Sequence, residues 1–359
     1  MFSRPGRVLL VGFQDQDNLG IGYLASSLKQ AGHQIRIETF GPDAEPLLRH
    51  DFPRDLVLIS TTPAPLDGRA AAWDYRPKEA FMDLNDSPPK LKAPTGTCDT
   101  HMHIYDGRYP SAPTAPFTPP DALVADYLKV RARLGITRTV VVQPSTYGKD
   151  NSCTLAAIAA LGNSARGIAV VDQTVTDAEL DRLTKAGIRG IRFHMLPGGA
   201  LPWDILETMA ARVGNFGWHV QLQLDGRTLP DREPLLKKLP GTLVVDHVGK
   251  FLEPVAIDHP GFKVLLRLLD NGRTWVKLSA PYEWSKAGPP NYTDVGQLAY
   301  TLSRAAPDRM LWATNWPHPT PGLPKPDDAW LLDMLLEWVP DEATRTKTLV
   351  DNPARLYGF

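Results

Sequence analysis

Two histidines one residue apart, His101 and His103, close the run Cys98-Asp99-Thr100-His101-Met102-His103. Side chains alternate with period two along an extended strand, so both imidazoles face one side and aim at one spot. Imidazoles titrate near neutrality, which suits them to general acid–base work and to metal ligation. A third histidine, His247, follows the apolar run Leu243-Val244-Val245-Asp246 and precedes Gly249 in a loop. Arg192 and His194 end another such run, and a planar guanidinium fork matches a carboxylate. Gln143 with Ser145 and Tyr147, Gln223 with Asp225, Lys277 with Ser279, and Asn315 gather at the ends of further runs. His219 lies at the opposite end of its run and reads as structural. Lys277 reads as a charge buried inside its strand, and Cys98 and Cys153 as inert core thiols.

These residues need a scaffold that brings many strand ends together. Strands are expected at 98–103, 138–143, 167–171, 188–194, 218–224, 242–246, 274–279 and 310–314. Helices are expected between them at 119–134, 151–161, 177–186, 202–213, 233–239, 260–269 and 294–305, with two more at 328–338 and 342–350. Eight alternations within residues 97–359 point to an α/β fold of the (β/α)₈ TIM-barrel type. Such barrels keep their chemistry at the C-terminal ends of the strands, where the polar residues above collect.

The chain of 359 residues carries a net charge of −1 and shows no basic stripe, so nucleic acid and anionic membrane are excluded as expected partners. No apolar run is long enough for a membrane helix, and the first residues lack a signal-peptide core. Two cysteines make no disulfide framework, which fits a reducing, cytoplasmic setting. Residues 1–60 read as a partial Rossmann-like unit with strands at 7–12, 34–39 and 55–60 and a helix at 19–31. The segment Gly12 to Tyr23 resembles the opening of the cobalamin-binding domain of radical-SAM enzymes, without its Asp-x-His-x-x-Gly motif and without a three-cysteine cluster. A structural half-domain is the expectation here. Its small parallel sheet must be covered by the barrel or by a second copy of the chain, so a homo-oligomer is the partner it suggests. Residues 61–96, with prolines at 63, 65, 77, 88, 89 and 94, read as a linker.

Seven motifs carry a second resemblance: Cys-Asp-Thr-His-Met-His-Ile-Tyr-Asp (98–106), Val-Val-Gln-Pro-Ser-x-Tyr-Gly-x-Asp-Asn (141–151), Gly-Ile-Arg-Gly-Ile-Arg-Phe (187–193), Val-Asp-His-x-Gly-Lys (245–250), Lys-Leu-Ser-x-Pro-Tyr (277–282), Trp-x-Thr-Asn-Trp-Pro-His-Pro (312–319) and Asn-Pro-Ala-Arg-Leu-Tyr-Gly-Phe (352–359). Together they resemble the amidohydrolase superfamily, and within it the branch that processes lactones. In metal-bearing members the His-x-His pair works with histidines on the fifth and sixth strands and an aspartate on the eighth. Here the fifth strand ends Gln221-Leu222-Gln223-Leu224-Asp225 and the eighth offers Asn315. The resemblance therefore implies a site without metal or other cofactor. A carboxylate at the eighth strand can take a proton from water, and an amide cannot. The expected reaction is then isomerisation of a sugar-acid lactone, from the 1,5- to the 1,4-lactone, by intramolecular acyl transfer. The alternative is a metal-independent hydrolase of a pyrone dicarboxylate or sugar lactone. The resemblance implies proton transfer by His101, His103 and His247, orientation by Asn315, and a carboxylate clamp of Arg192 with Lys250. It further implies hydroxyl contacts from Ser145, Tyr147 and Asn151, with Tyr282 beside them. The expected partner is a small carboxylated lactone.

Overall fold

The computed structural model describes residues 87–359, apart from 116 and 324, and the backbone of strands β1 (Arg7–Phe13), β2 (Gln34–Phe40) and β3 (Leu56–Ile59). The chain divides into two compact units, Met1–Lys78 and Glu79–Phe359. In the first, β1 lies between β2 and β3 in a parallel sheet, with Val8 opposite both Ile35 and Leu56. The helix expected at 19–31 and most of the expected linker lie outside the described residues.

The second unit is the barrel. Its strands are β4 (Cys98–Met102), β5 (Arg138–Val142), β6 (Ala165–Ala169), β7 (Ile188–His194), β8 (His219–Gln223), β9 (Leu243–Val245), β10 (Thr274–Leu278) and β11 (Met310–Trp312). They are neighbours in sequence order and pair in parallel throughout. The ring is drawn together between first and last strands just above their paired portions. Asn315 N–H donates to the His101 carbonyl at 2.8 Å, and His103 N–H donates to the Trp316 carbonyl at 2.8 Å. The two closing bonds thus involve three residues picked out for chemistry, so closing the barrel also sets their relative register.

Helices cover the outside, beginning with α1 (Val124–Leu134) and α2 (Ser152–Leu161). The first was expected from Pro119. It starts five residues later because Ala122 pairs with Tyr105 in an antiparallel bridge, which holds the approach extended. The expected helix at 328–338 divides into Asp328–Asp333 and Leu335–Trp338. Among the described residues no helix is long and apolar enough to cross a membrane.

Apolar side chains between strands and helices form the main core. A smaller cluster, including Val140, Val142, Ile168, Val244 and Leu311, joins strand residues to the ring of Tyr357 in the helix Asn352–Tyr357. Alternation along β8 and β10 places Gln221 and Gln223, and Lys277 and Ser279, on common faces. Lys277 bonds Gln221, Arg192 bonds Gln223 and His247 bonds Ser279, so these faces look into the barrel. Burying such groups is tolerable only if each finds a partner, and the partners make the site.

Candidate active site

His101 and His103 meet edge to face, with ring centroids 4.8 Å apart and Nε2 atoms 3.2 Å apart. The His247 ring lies 4.8 Å from that of His101, centroid to centroid. All three are buried. The Val142 carbonyl stands 2.8 Å from His103 Nδ1. A carbonyl only accepts, so Nδ1 carries the hydrogen and Nε2 of the neutral ring is bare. His101 then bonds to it by presenting an N–H from its own Nε2. His247 Nδ1 is 2.8 Å from the Ser279 hydroxyl, which leaves its Nε2 for a ligand. His247 and Val248 both have left-handed backbone, φ 55° and 57°. Non-glycine residues adopt that conformation at a cost, and here it bends the chain so that the ring meets His101.

Burial pushes His103 down to about 3, with the Arg192 charge adding to it, and His247 down to about 4. Burial also holds His101 well below the usual imidazole range. Three neutral rings, each able to receive a proton, therefore face one another at neutral pH.

A buried ionic layer lies against His101. Asp246 Oδ1 is 3.3 Å from His101 Nδ1, and Asp246 Oδ2 accepts from Gln221 Nε2 at 3.1 Å. Lys277 Nζ donates to the Thr100 carbonyl at 2.8 Å and to Gln221 Oε1 at 2.7 Å. The same ammonium is 3.4 Å from His101 Nδ1 and 3.6 Å from Asp246 Oδ1. Burial pulls Lys277 down to about 8 against the attraction of Asp246. Burial works to raise Asp246, but its positive neighbours, His101 once protonated and the Lys277 ammonium, hold it well below the usual carboxylate range. A second buried carboxylate, Asp99, accepts from Tyr127 Oη, Thr314 Oγ1 and the N–H groups of Thr314 and His101. It ties the first strand to the last directly under the imidazoles. Gln221, Lys277 and Asp246 form one unit that sequence spacing does not reveal, because each comes from a different strand.

Asn315 also has left-handed backbone, φ 60°. Its Nδ2 donates to Tyr282 Oη at 2.8 Å and to Glu283 Oε1 at 3.2 Å. Glu283 is paired with Lys250 and accepts from Thr320 Oγ1 at 2.7 Å. Burial opposes its ionisation, but the Lys250 charge, His247 once protonated, and these hydrogen bonds hold it at about 2. Lys250, expected in a carboxylate clamp with Arg192, is paired here with Glu283. Glu283 itself was missed. The motif ended at Tyr282, and no periodicity marks a residue in the turn beyond.

Arg192 donates to the Gln143 carbonyl at 2.9 Å and to Gln223 Oε1 at 2.8 Å, and its buried Nε has no partner among the described residues. Ser145 and Tyr147 lie in a short turn of helix after β5. The Tyr147 hydroxyl receives the Asp106 N–H at 2.8 Å. Asn151 bonds the Val170 carbonyl and N–H, each at 2.9 Å, as a strand neighbour would. These two groups are spent on backbone and hold the loop that carries Ser145; the structure does not bring them into the imidazole cluster.

A divalent ion fits this arrangement poorly. Among the described residues, the one set of three potential ligands with donor atoms within 4.8 Å of one another is His101, Asp246 and His247. The Lys277 ammonium already stands beside two of them, so a dication would face a buried like charge.

A (β/α)₈ barrel with imidazoles, a buried arginine and paired carboxylates at its strand ends is an enzyme scaffold built for proton transfer. The model of the amidohydrolase family matches residues 98–359, and the chain belongs to that family. It is 38% identical to a D-galactarolactone isomerase of Agrobacterium fabrum over 283 residues, 78% of this chain and 97% of that one. It is 36% identical to a 2-pyrone-4,6-dicarboxylate hydrolase of Comamonas testosteroni over 285 residues, 76% of this chain and 93% of that one. An apo crystal structure from Agrobacterium tumefaciens superposes with a TM-score of 0.72 at 38% identity, covering 76% of this chain and 98% of that one. A probable 2-pyrone-4,6-dicarboxylic acid hydrolase from Acinetobacter baumannii, with citric acid bound, gives 0.65 at 29% identity, covering 74% and 100%. The family match begins at Cys98, so the likeness of residues 1–60 to a cobalamin-binding domain gains no support from it.

Proposed function

We propose that this enzyme isomerises a sugar-acid lactone, 1,5 to 1,4, by intramolecular acyl transfer without a metal. The observation that carries the reading is the amide of Asn315 at the last strand end, beside three buried neutral imidazoles. A substrate hydroxyl attacks the lactone carbonyl as an imidazole takes its proton. The new C–O bond forms, the ring C–O bond breaks, and the same proton goes to the departing ring oxygen. No water is consumed. The bare Nε of Arg192 suits the free carboxylate of such a substrate. The negative charge so delivered raises the neighbouring imidazoles toward neutrality, where they work best as acid and base. The naming of a 38% identical relative as D-galactarolactone isomerase supports the same class.

Proton NMR of purified protein with a galactarolactone tests this directly. Conversion between 1,5- and 1,4-lactone, without accumulation of open acid, is expected. Release of open acid in its place favours the second reading, a lactone hydrolase, to which the hydrolase relative points.

A further inference from the structure

An amide at position 315 serves only if it points one way, and the hydrogen bonds around it fix which. Glu283 is ionised and can only accept, so the Asn315 atom facing it is the nitrogen. On the other side, His318 Nε2 lies 3.1 Å from Asp328 Oδ1 and His318 Nδ1 lies 3.0 Å from Tyr282 Oη. With Asp328 claiming the Nε2 hydrogen, His318 Nδ1 is bare and takes the Tyr282 hydrogen. Tyr282 Oη then accepts from Asn315 Nδ2. Both hydrogens of the amide are used, one on each side. Its Oδ1 receives no hydrogen bond among the described residues. Glu283 is in turn fixed by Lys250 and Thr320; Asn315, His318 and Asp328 are buried, and the Glu283 side chain is only 6% exposed.

We propose that Glu283, with Tyr282, is a positioning residue that locks Asn315 as a pure acceptor for a substrate hydroxyl, and that the Glu283–Asn315 pair excludes the hydrolytic reaction. This rests on the isomerase reading and names what enforces it. The lock also explains why an acid at position 315 is incompatible with this surrounding. Asn315→Asp alone sets two carboxylates about 3 Å apart, where they must share a proton, and a shared proton removes the base that water activation needs. Asn315→Asp with Glu283→Gln restores complementarity, since the Gln amide donates to the new carboxylate. The attack is then by water: its oxygen bonds to the carbonyl carbon, its proton passes to the carboxylate introduced at position 315, and the ring oxygen leaves with a proton to give the open acid.

The test follows wild type and variants on one lactone by proton NMR in water enriched in heavy oxygen, with product mass giving label incorporation. Wild type is expected to isomerise without label. Glu283→Gln is expected to lose about tenfold in kcat with little change in KM, the loss of one oriented hydrogen bond. Tyr282→Phe, which leaves the buried ion pair intact, is expected to lose several-fold and is the check should Glu283→Gln fail to fold. The double variant is expected to release labelled acid at least tenfold faster than Asn315→Asp alone. Full isomerase activity in Glu283→Gln or in Tyr282→Phe, or equal hydrolysis by single and double variants, overturns the inference while leaving the isomerase reading standing. Absence of isomerisation by wild type overturns both.

Discussion

Lys277 gives the sharpest quantitative test of the buried layer. Its ammonium is enclosed by Thr100, Gln221, His101 and Asp246, and it ionises at about 8, where an exposed lysine has 10.5. Below about 8 both folded and unfolded chains hold this proton, so it contributes no pH slope. Between about 8 and 10.5 the unfolded chain binds more protons than the folded one, and stability rises with pH. The full gain is the shift of about 2.5 pKa units, or about 3 kcal/mol, of which about 2 kcal/mol falls between pH 8 and 10. Lys277→Met removes this rise. It also leaves Asp246 without its ammonium, which costs a few kcal/mol at neutral pH unless His101 takes up a proton to replace it. Urea denaturation at several pH values, followed by tryptophan fluorescence, measures both effects. The wild-type minus variant difference should grow by about 2 kcal/mol from pH 8 to 10. Lys277→Arg keeps the charge but cannot titrate, and it should flatten the slope in the same way. In activity, an alkaline limb near pH 8 should appear in kcat/KM for wild type and vanish in both variants. Parallel stability curves for wild type and variants would show that Lys277 does not titrate in this layer and would refute the reasoning.

Three further outcomes follow from the site. His247→Ala should lower kcat by at least about a hundredfold. Because burial holds His247 at about 4, free wild-type enzyme should keep its acid limb well below the ordinary imidazole range, and each ring so lowered should cost stability as pH falls from about 6.5 to 4. Arg192→Lys removes the bare Nε and the planar fork, and titration of a carboxylated lactone should show KM raised about tenfold or more, with a smaller effect on a neutral lactone. Dialysis against a chelator should leave isomerisation unchanged, and added zinc should not raise it; loss on chelation with recovery on zinc would overturn the acid–base reading.

The parts of the site that the sequence disclosed are those governed by strand periodicity. His101 and His103 share a face because period two requires it, and His247 reaches them because it follows a strand of the same barrel. Asn315 was legible as an amide in the place of an acid. What periodicity does not govern stayed hidden. Tyr147 and Asn151 have the right chemistry at the right strand end. In the fold their polar groups are hydrogen-bonded to the backbone of Asp106 and Val170, a pairing that no local pattern announces. Lys250 follows the sixth barrel strand, and its partner stands more than thirty residues later in the chain.

Glu283 shows why this limit is physical. It follows Ala280, whose φ of 50° is unfavourable for an alanine and absent from any propensity, and Pro281, which starts a single short turn. That bend carries Tyr282 and Glu283 back over Asn315; an ordinary extended continuation of β10 would send them apart. An acid five residues past the end of a strand usually reads as solvated surface. Only the folded backbone, held in an uncommon conformation, turns this one into a buried carboxylate beside an amide. If the strain at Ala280 exists to aim that pair, Ala280→Gly should keep the bend at less backbone strain but loosen its definition. Stability should then change little, while isomerisation slows with KM nearly unchanged. A loss of stability with unaltered turnover would assign Ala280 to packing alone.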